Sequence, residues 1–191
     1  DNHGYLRQVP TDAERERSGG SGVYYHVSYW GVDHTSYLWL NTTPLVQMYE
    51  ELRKAYDTGM QEYWILNVGD IKPSEISLEF MMEMAWDIDQ YDDTNIHTYV
   101  EKIAKRDFLV DDATAADIAD IMTKYYQYNI AKRPEFQGYE DSNPDEPYSV
   151  VSNGDEGQIR VDQLNALVER AEAIYNNLDA DRKDAFYQMV Y

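Results

Sequence analysis

The side chains best suited to chemistry lie in or just after two apolar runs of the sequence. His26 lies inside the first run, between Tyr25 and Val27. Because side chains alternate along a strand, Tyr24 and Ser28 share the face of His26. Such a histidine is either a core residue satisfied by one hydrogen bond or a residue that points into a site. The pattern by itself favours the core residue. The polar Tyr-His-Ser face is unusual for a buried strand, and it makes a functional role of His26 more plausible.

Asn67 and Asp70 end the second apolar run. Aspartate is a common helix cap, and Asp70 stands just before a predicted helix. The alternative is a carboxylate that faces an active site, and the sequence leaves both interpretations open. Asn2 lies two residues before Gly4, a pattern that by itself indicates only a turn.

Other motifs that carry chemistry are weak or missing in the sequence. His3 and the adjoining pair Asp33 and His34 lie in no zinc-type pattern, so we interpret these histidines as loop residues and predict no metal site. The sequence holds no Walker motif and no serine nucleophile elbow. Trp30 and Trp39 form either a wall on which a sugar stacks or part of an aromatic core.

The elements that must position these residues alternate between strand and helix. Apolar and aromatic runs predict strands over residues 23–30 and 62–70, the second of them buried on both faces. Helical spacing predicts helices over residues 45–56, after Pro44, and over residues 75–86. Ahead of the first strand, Thr11 and Glu14 indicate a capping box for a short helix.

Only helices are predicted after Asp87. They cover residues 94–108, 114–131 and 161–175, and a further helix starts at Ala180. The acidic segment 134–157 is predicted to be an exposed loop.

A β-α-β-α order fits the last units of a (β/α)8 barrel or the end of a doubly wound sheet, and the polar strand ends favour the barrel. The predicted fold class is therefore α/β followed by all-α. Residues 1–90 would be the C-terminal portion of a (β/α)8 TIM barrel, and residues 91–191 a helical bundle domain.

The composition excludes several classes of function. The 191 residues include 16 Lys and Arg against 36 Asp and Glu, which gives a formal net charge of −20. This balance argues against nucleic acid and anionic membranes as partners. Cysteine is absent, whereas 18 tyrosines and 4 tryptophans are present. Such side chains suit a core that borders a polar ligand, such as a sugar.

Both ends of the sequence indicate a larger protein. It opens on Asp1 with no leader pattern, and it closes on an apolar and aromatic run that ends at Tyr191. We therefore expect this chain to be a fragment.

Four blocks of the sequence resemble glycoside hydrolase family 115, the xylan α-1,2-glucuronidases. They are DNHGYLR (residues 1–7), SGGSGVYYHVSYWG (18–31), YLWLNTT (37–43) and WILNVGDIKP (64–73). The blocks keep the family's order and spacing. The likeness is strongest over residues 1–90 and thinner in the helical tail.

The resemblance implies an enzyme that removes glucuronic acid or its 4-O-methyl form from glucuronoxylan or its oligosaccharides, with inversion and without an organic cofactor. It also implies a (β/α)8 barrel followed by a helical bundle, a homodimeric parent protein, and a secreted or periplasmic location. Asn2 and His26 match active-site residues of the family. The family's essential glutamate and aspartate have no counterpart in these residues, so the isolated chain is expected to be inactive.

Chemistry suggests further roles at the same place. Asn2 would bind sugar hydroxyls or hold the attacking water, and His26 would pair with the uronate carboxylate. Tyr29 and Trp30 would shape the substrate pocket, to which Asn67 and Asp70 also belong. Two alternatives remain open at this point. One is a non-catalytic helical interaction or dimerisation module, and the other is a carbohydrate-binding unit.

Overall fold

A computed structural model describes residues 4–28, 38, 40–131, 133 and 154–191. The described residues form two compact units, one reaching as far as Ile96 and the other running from His97 to Tyr191. The first unit is mixed α/β with a two-stranded sheet, and the described part of the second is helical. The predicted assignment of residues 1–90 and 91–191 to a barrel and a bundle stays a prediction.

The first unit has the predicted β-α-β-α order. Its elements are α1 (Asp12–Arg15), β1 (Val23–His26), α2 (Leu45–Asp57), β2 (Trp64–Asn67) and α3 (Glu75–Trp86), with a 3₁₀ turn at Lys72–Ser74. The capping box predicted for α1 is confirmed, since the backbone N–H of Glu14 donates to the Thr11 hydroxyl and the Thr11 N–H donates to the Glu14 carboxylate. The predicted start of α2 is confirmed too, with Pro44 as its N-cap.

The two strands are parallel and shorter than predicted. Val23 pairs with Trp64 and His26 pairs with Asn67. The predicted strand over residues 23–30 is wrong beyond His26 for the described residues, which form a bend at Val27 and Ser28. The prediction over residues 62–70 is likewise too long at both ends, because β2 keeps only the residues that have a ladder partner in β1.

One face of the sheet is buried on β1 and half-buried on β2, and the other face is more open. On β1, Val23 and Tyr25 are 2% and 0% exposed, whereas Tyr24 on the opposite face is 48% exposed. The buried face adjoins α2, because the Tyr25 hydroxyl donates to the Gly4 carbonyl at 2.8 Å and the Gln47 side chain of α2 lies against Gly4. The prediction that β2 is buried on both faces is wrong in this chain, since Ile65 is 45% exposed.

The core of the first unit is formed by the apolar stripes of the two helices that follow the strands. In α2 the buried apolar residues recur at helical spacing, as do those of α3, which places one side of each helix in the core. These residues are Leu45, Met48, Leu52 and Ala55 of α2 and Ile76, Phe80, Met81 and Met84 of α3.

The described part of the second unit consists of α4 (His97–Phe108), α5 (Asp112–Ala131), α6 (Glu156–Asn177) and α7 (Ala180–Met189). Helix α4 starts three residues later than predicted, because the Asp92 carboxylate accepts from the N–H groups of Thr94 and Asn95 in a preceding turn. Helix α6 starts earlier than predicted and is capped by Asp155.

Aromatic packing and arginine contacts join the helices of the second unit. Phe108 and Phe186 meet edge to face at 5.2 Å between ring centroids, and both are buried. Arg160 of α6 donates to the Tyr128 carbonyl at 2.6 Å and to the Asn129 side chain at 2.9 Å, so it fastens the start of α6 to the end of α5.

Two further findings concern the described residues as a whole. The predicted exposed loop at residues 134–157 lies mostly outside the described residues, and its last two residues belong to α6. No described helix combines the length and the apolar character needed to cross a membrane.

Candidate functional site

The carboxyl ends of β1 and β2 bring two of the predicted site residues side by side. Because the strands are parallel, their last residues meet at one edge of the sheet, which we call the carboxyl edge. His26 pairs with Asn67 there, and the N–H of Val27 donates to the Asn67 carbonyl at 3.1 Å. The sequence predicted His26 inside the first strand and Asn67 near the end of the second. The structure ends β1 at His26, and the register makes the two residues neighbours.

The open face of the sheet carries Tyr24, His26, Ile65 and Asn67, because residues in register share a face. The Tyr24 and His26 rings meet edge to face at 4.9 Å between centroids. The Asn67 side-chain amide donates to the Tyr24 hydroxyl at 2.9 Å. These three polar side chains form one connected cluster, which we call the open-face cluster.

Tyr24 is the member of the open-face cluster that the sequence-based site prediction left out. The alternation along β1 already placed it on the face of His26. Its contact with Asn67 joins residues 43 positions apart. The residue pattern along a single strand cannot predict such a contact. The tertiary register of the two strands was needed to find it.

Partial burial favours the neutral form of His26. It lowers the pKa of the imidazole below its usual value near 6.5, because burial disfavours the charged form. At neutral pH the ring is therefore uncharged, with one nitrogen that donates a hydrogen bond and one that accepts. A neutral His26 can bind a sugar or shift a proton, but it does not supply the positive charge that would neutralise a uronate.

The turn after β2 packs directly against the end of β1. Gly69 has a φ of +60°, and a Cβ atom there would lie 2.6 Å from the Ser28 Oγ and 2.7 Å from the Leu38 Cδ2. Ser28 is buried, and its hydroxyl has no hydrogen-bond partner within the described chain. Glycine at position 69 thus allows the two chain segments at the carboxyl edge to approach each other.

Hydrogen bonds also tie down the segments that lead into α2 and α3. Asn41, just before α2, donates from Nδ2 to the Ser77 hydroxyl of α3 at 2.6 Å. The Ser74 hydroxyl donates to the Val68 carbonyl at 3.3 Å. Both connections follow a strand end, so these bonds hold the loops of the carboxyl edge in place.

The other predicted site residues are placed as follows. Asp70 is exposed, and no side-chain hydrogen bond caps the 3₁₀ turn or α3 that follow it. The structure therefore does not support the interpretation of Asp70 as a cap. Asn2, Tyr29 and Trp30 lie outside the described residues.

The open-face cluster has the chemistry of a neutral binding site. It offers hydroxyl, amide and imidazole groups, which donate to and accept from sugar hydroxyls. Within the described ranges, no group of three His, Asp or Glu side chains could hold a metal ion. A cavity of about 430 Å³ in the second unit, lined in part by Asp117 and Arg170, contains none of the predicted site residues.

Comparisons with known proteins give this site a context. The model of glycosyl hydrolase family 115 matches residues 1–136, which include both strands and the carboxyl edge. A similar solved structure is described as "a novel family GH115 4-O-methyl-alpha-glucuronidase, BtGH115A, with specificity for decorated arabinogalactans". It is 35% identical to this chain, with a TM-score of 0.84 over 100% of the chain. This chain covers 25% of that protein's chain. No curated protein matches.

Proposed function

Because the chain belongs to glycosyl hydrolase family 115, we propose that it forms part of an enzyme that removes glucuronic acid or its 4-O-methyl form from xylan. The sugar released would be α-1,2-linked to the xylan backbone. The observation that carries the proposal is the open-face cluster, since a partly buried histidine lies beside Tyr24 and Asn67 at the carboxyl edge. A purely structural module has no need of such a polar strand face.

We propose that the β-α-β-α unit is the closing part of a (β/α)8 barrel. Parallel strands, a face that adjoins helix α2 and an open opposite face support this proposal. In such a barrel the helices cover the outside, and the active site lies at the carboxyl ends of the strands. An experimental structure of the whole protein would test whether the open face lines a barrel interior.

Within this enzyme, His26 and Asn2 would act in catalysis, and Tyr29, Trp30, Asn67 and Asp70 would line the substrate pocket. The neutral imidazole of His26 would bind the sugar by hydrogen bonds.

An inverting mechanism needs an acid and a base carboxyl about 6.5–9.5 Å apart. The resemblance gives neither role to a residue of this chain. We therefore propose that the isolated chain releases no glucuronate. We also propose that the whole protein inverts the anomeric centre, so that NMR of the reaction detects the β-anomer of the released glucuronate first.

Replacing His26 tests the proposed function. In the whole protein, His26→Ala should lower the turnover of a glucuronoxylan oligosaccharide by about a hundredfold or more, the scale expected for a lost acid–base or electrostatic group. The matched control is His97→Ala, which removes an exposed histidine at the start of α4 and should leave turnover unchanged.

Each outcome decides between the hypotheses. Turnover near the wild-type value in a folded His26→Ala protein would remove His26 from the site. If the wild-type protein itself released no glucuronate, the glucuronidase proposal would fail. A carbohydrate-binding unit or an interaction module would then be the better interpretation.

Two further proposals concern the parent protein and rest on the family resemblance. We propose that it is a homodimer, which sedimentation of the whole protein would test. We also propose that it is secreted or periplasmic, which fractionation of the producing cells would test.

A further inference from the structure

The hydrogen bond between Tyr24 and Asn67 has a defined direction. The Asn67 Nδ2 donates to the Tyr24 hydroxyl oxygen at 2.9 Å. The tyrosine oxygen therefore acts as the acceptor, and its own hydrogen remains available to donate to another group. No described residue accepts that hydrogen. The Asn67 Oδ1 likewise remains available as an acceptor within the described part of the chain.

This pair lies at the carboxyl edge. Tyr24 stands two residues before the end of β1, yet its hydroxyl reaches Asn67, the last residue of β2. Its ring centroid is 4.9 Å from that of His26, and Tyr24 as a residue is 48% exposed, so a ligand that contacts His26 can also reach the tyrosine hydroxyl. The pair thus extends the candidate site beyond the predicted residues.

The arrangement of donor and acceptor selects the ligand group. A sugar hydroxyl both donates and accepts, so one hydroxyl can accept from Tyr24 and donate to Asn67. A carboxylate only accepts, and it would face the Asn67 oxygen without a hydrogen between them. The strand residues of the open face are Tyr24, His26, Ile65 and Asn67, so neither strand places a Lys or Arg on it. These features fit a neutral hydroxyl group better than a uronate carboxylate.

We propose that Tyr24 and Asn67 form a binding pair for one hydroxyl group of the sugar held at the carboxyl edge. Tyr24 donates to that hydroxyl, and Asn67 accepts from it while also holding the tyrosine in position. The assignment rests on the proposed function, because it takes the ligand to be the glucuronate sugar. It adds Tyr24 to the site and gives Asn67 a second role as a positioning residue.

The first test compares Tyr24→Phe with wild type in the whole protein. This change keeps the ring beside His26 and removes only the hydroxyl. Calorimetry should show that methyl α-glucuronide and methyl α-glucoside both bind about tenfold more weakly, since a hydroxyl contact does not distinguish them. Tyr63→Phe is the matched control, because Tyr63 is an exposed tyrosine just before β2, at the opposite end of the strand. It should change neither affinity.

Deoxy sugars identify the contact. In wild type, one of the 2-, 3- and 4-deoxy glucuronides should bind about tenfold more weakly than the parent glucuronide. Tyr24→Phe should bind that same deoxy sugar as well as it binds the parent sugar, because the contact is already lost. Tyr24→Phe would overturn the proposal if it left the affinities unchanged, if it weakened only the uronate, or if it responded to every deoxy sugar as wild type does.

Asn67→Asp tests the direction of the internal hydrogen bond. A carboxylate has nearly the same shape but only accepts, so it takes the hydrogen of Tyr24 and leaves the sugar without a donor. We expect a loss of glucoside affinity similar to that of Tyr24→Phe, with little further loss when the two changes are combined. The glucoside is used because it is uncharged and is not repelled by the new carboxylate. Unchanged glucoside affinity would show that Asn67 does not orient the tyrosine.

Binding and turnover separate the failure of this inference from the failure of the proposed function. A wild-type protein that releases glucuronate, combined with a Tyr24→Phe protein of unchanged affinity, contradicts only the pair. A wild-type protein that neither binds nor cleaves a glucuronide contradicts both proposals.

Discussion

At the residue scale, the charge state of His26 decides what it can do. Burial lowers its pKa, so the imidazole is neutral where most enzymes work. Recognition at the open-face cluster then depends on hydrogen bonds rather than on charge. This suits a cluster that consists of a phenol, an amide and an imidazole, and it leaves the uronate charge to be balanced by other groups.

The pKa of His26 is directly measurable. In an NMR titration, the imidazole protons of His26 should have a midpoint below 6.5, and their signals should be absent from His26→Gln. The folded state binds this proton less readily than the unfolded state. The stability linked to His26 is therefore present above about pH 6.5 and decreases as the pH falls towards the folded-state pKa. A titration midpoint at or above 6.5 would show that burial does not lower the pKa of His26.

Gly69 shows how a single missing Cβ atom shapes the carboxyl edge. Its φ of +60° disfavours any side chain, and a Cβ would lie 2.6 Å from the buried Ser28 hydroxyl. We expect Gly69→Ala to lower the free energy of unfolding by about 2 kcal/mol, the combined cost of a strained backbone and a displaced neighbour. Urea denaturation measures this change.

The matched control for Gly69→Ala is Gly19→Ala. A Cβ at Gly19 meets nothing within 4 Å, and this glycine is not in the left-handed region. This variant should be as stable as wild type or slightly more stable. Equal stabilities of the two variants would mean that the approach of Gly69 to Ser28 contributes nothing.

At the scale of the elements, the one-sided burial of the sheet follows from where its helices pack. Helix α2 lies on the face of Tyr25, and the opposite face of Tyr24 remains open. We therefore expect the stability of the sheet to depend on the packing of α2. A two-stranded sheet has little stability of its own.

Leu52 and Val46 of α2 test this dependence. Leu52 is fully buried, whereas Val46 is 53% exposed on the same helix. Leu52→Ala should lower the free energy of unfolding by about 2–5 kcal/mol, because it leaves a cavity in the core. Val46→Ala should change it by about 0.5 kcal/mol or less. Thermal unfolding followed by circular dichroism measures both changes. Similar losses of unfolding free energy in the two variants would contradict the packing of α2 into the core by the side that carries Leu52.

At the scale of the whole molecule, the two units differ in how complete their cores are. The first unit leaves Tyr24 and Ile65 exposed on one face of its sheet. The second buries Tyr99, Phe108 and Phe186 among α4, α5, α6 and α7. A helical unit with its own core can fold alone, whereas an open sheet face and free strand edges favour aggregation.

We therefore expect residues 97–191 to fold as a separate protein. Circular dichroism should show a helical spectrum and a cooperative thermal transition. Within that protein, Phe186→Ala should lower stability by about 3–5 kcal/mol. The exposed Val168→Ala of α6 serves as the control and should have little effect. A broad transition that Phe186→Ala does not shift would show that this unit has no independent core.

The sequence predicted most of the elements, but not where the strands end or which of their faces are buried. Hydrophobic spacing located α2 and α3 because their stripes are local properties of the chain. The ends of the strands were overestimated, because a strand continues only where a partner pairs with it. Burial of β2 was overestimated for a related reason, since its apolar run gives no information about which face a helix covers.

The sequence by itself determined the family and the element order, and it placed His26 inside the first predicted strand and Asn67 near the end of the second. These features depend on local spacing and on motifs of a few residues. Only the tertiary structure decided that His26 pairs with Asn67 and that Asn67 holds Tyr24. It also decided that burial lowers the pKa of His26 and so favours its neutral form. Register, burial and contacts between residues 43 positions apart arise from packing, so no local pattern encodes them.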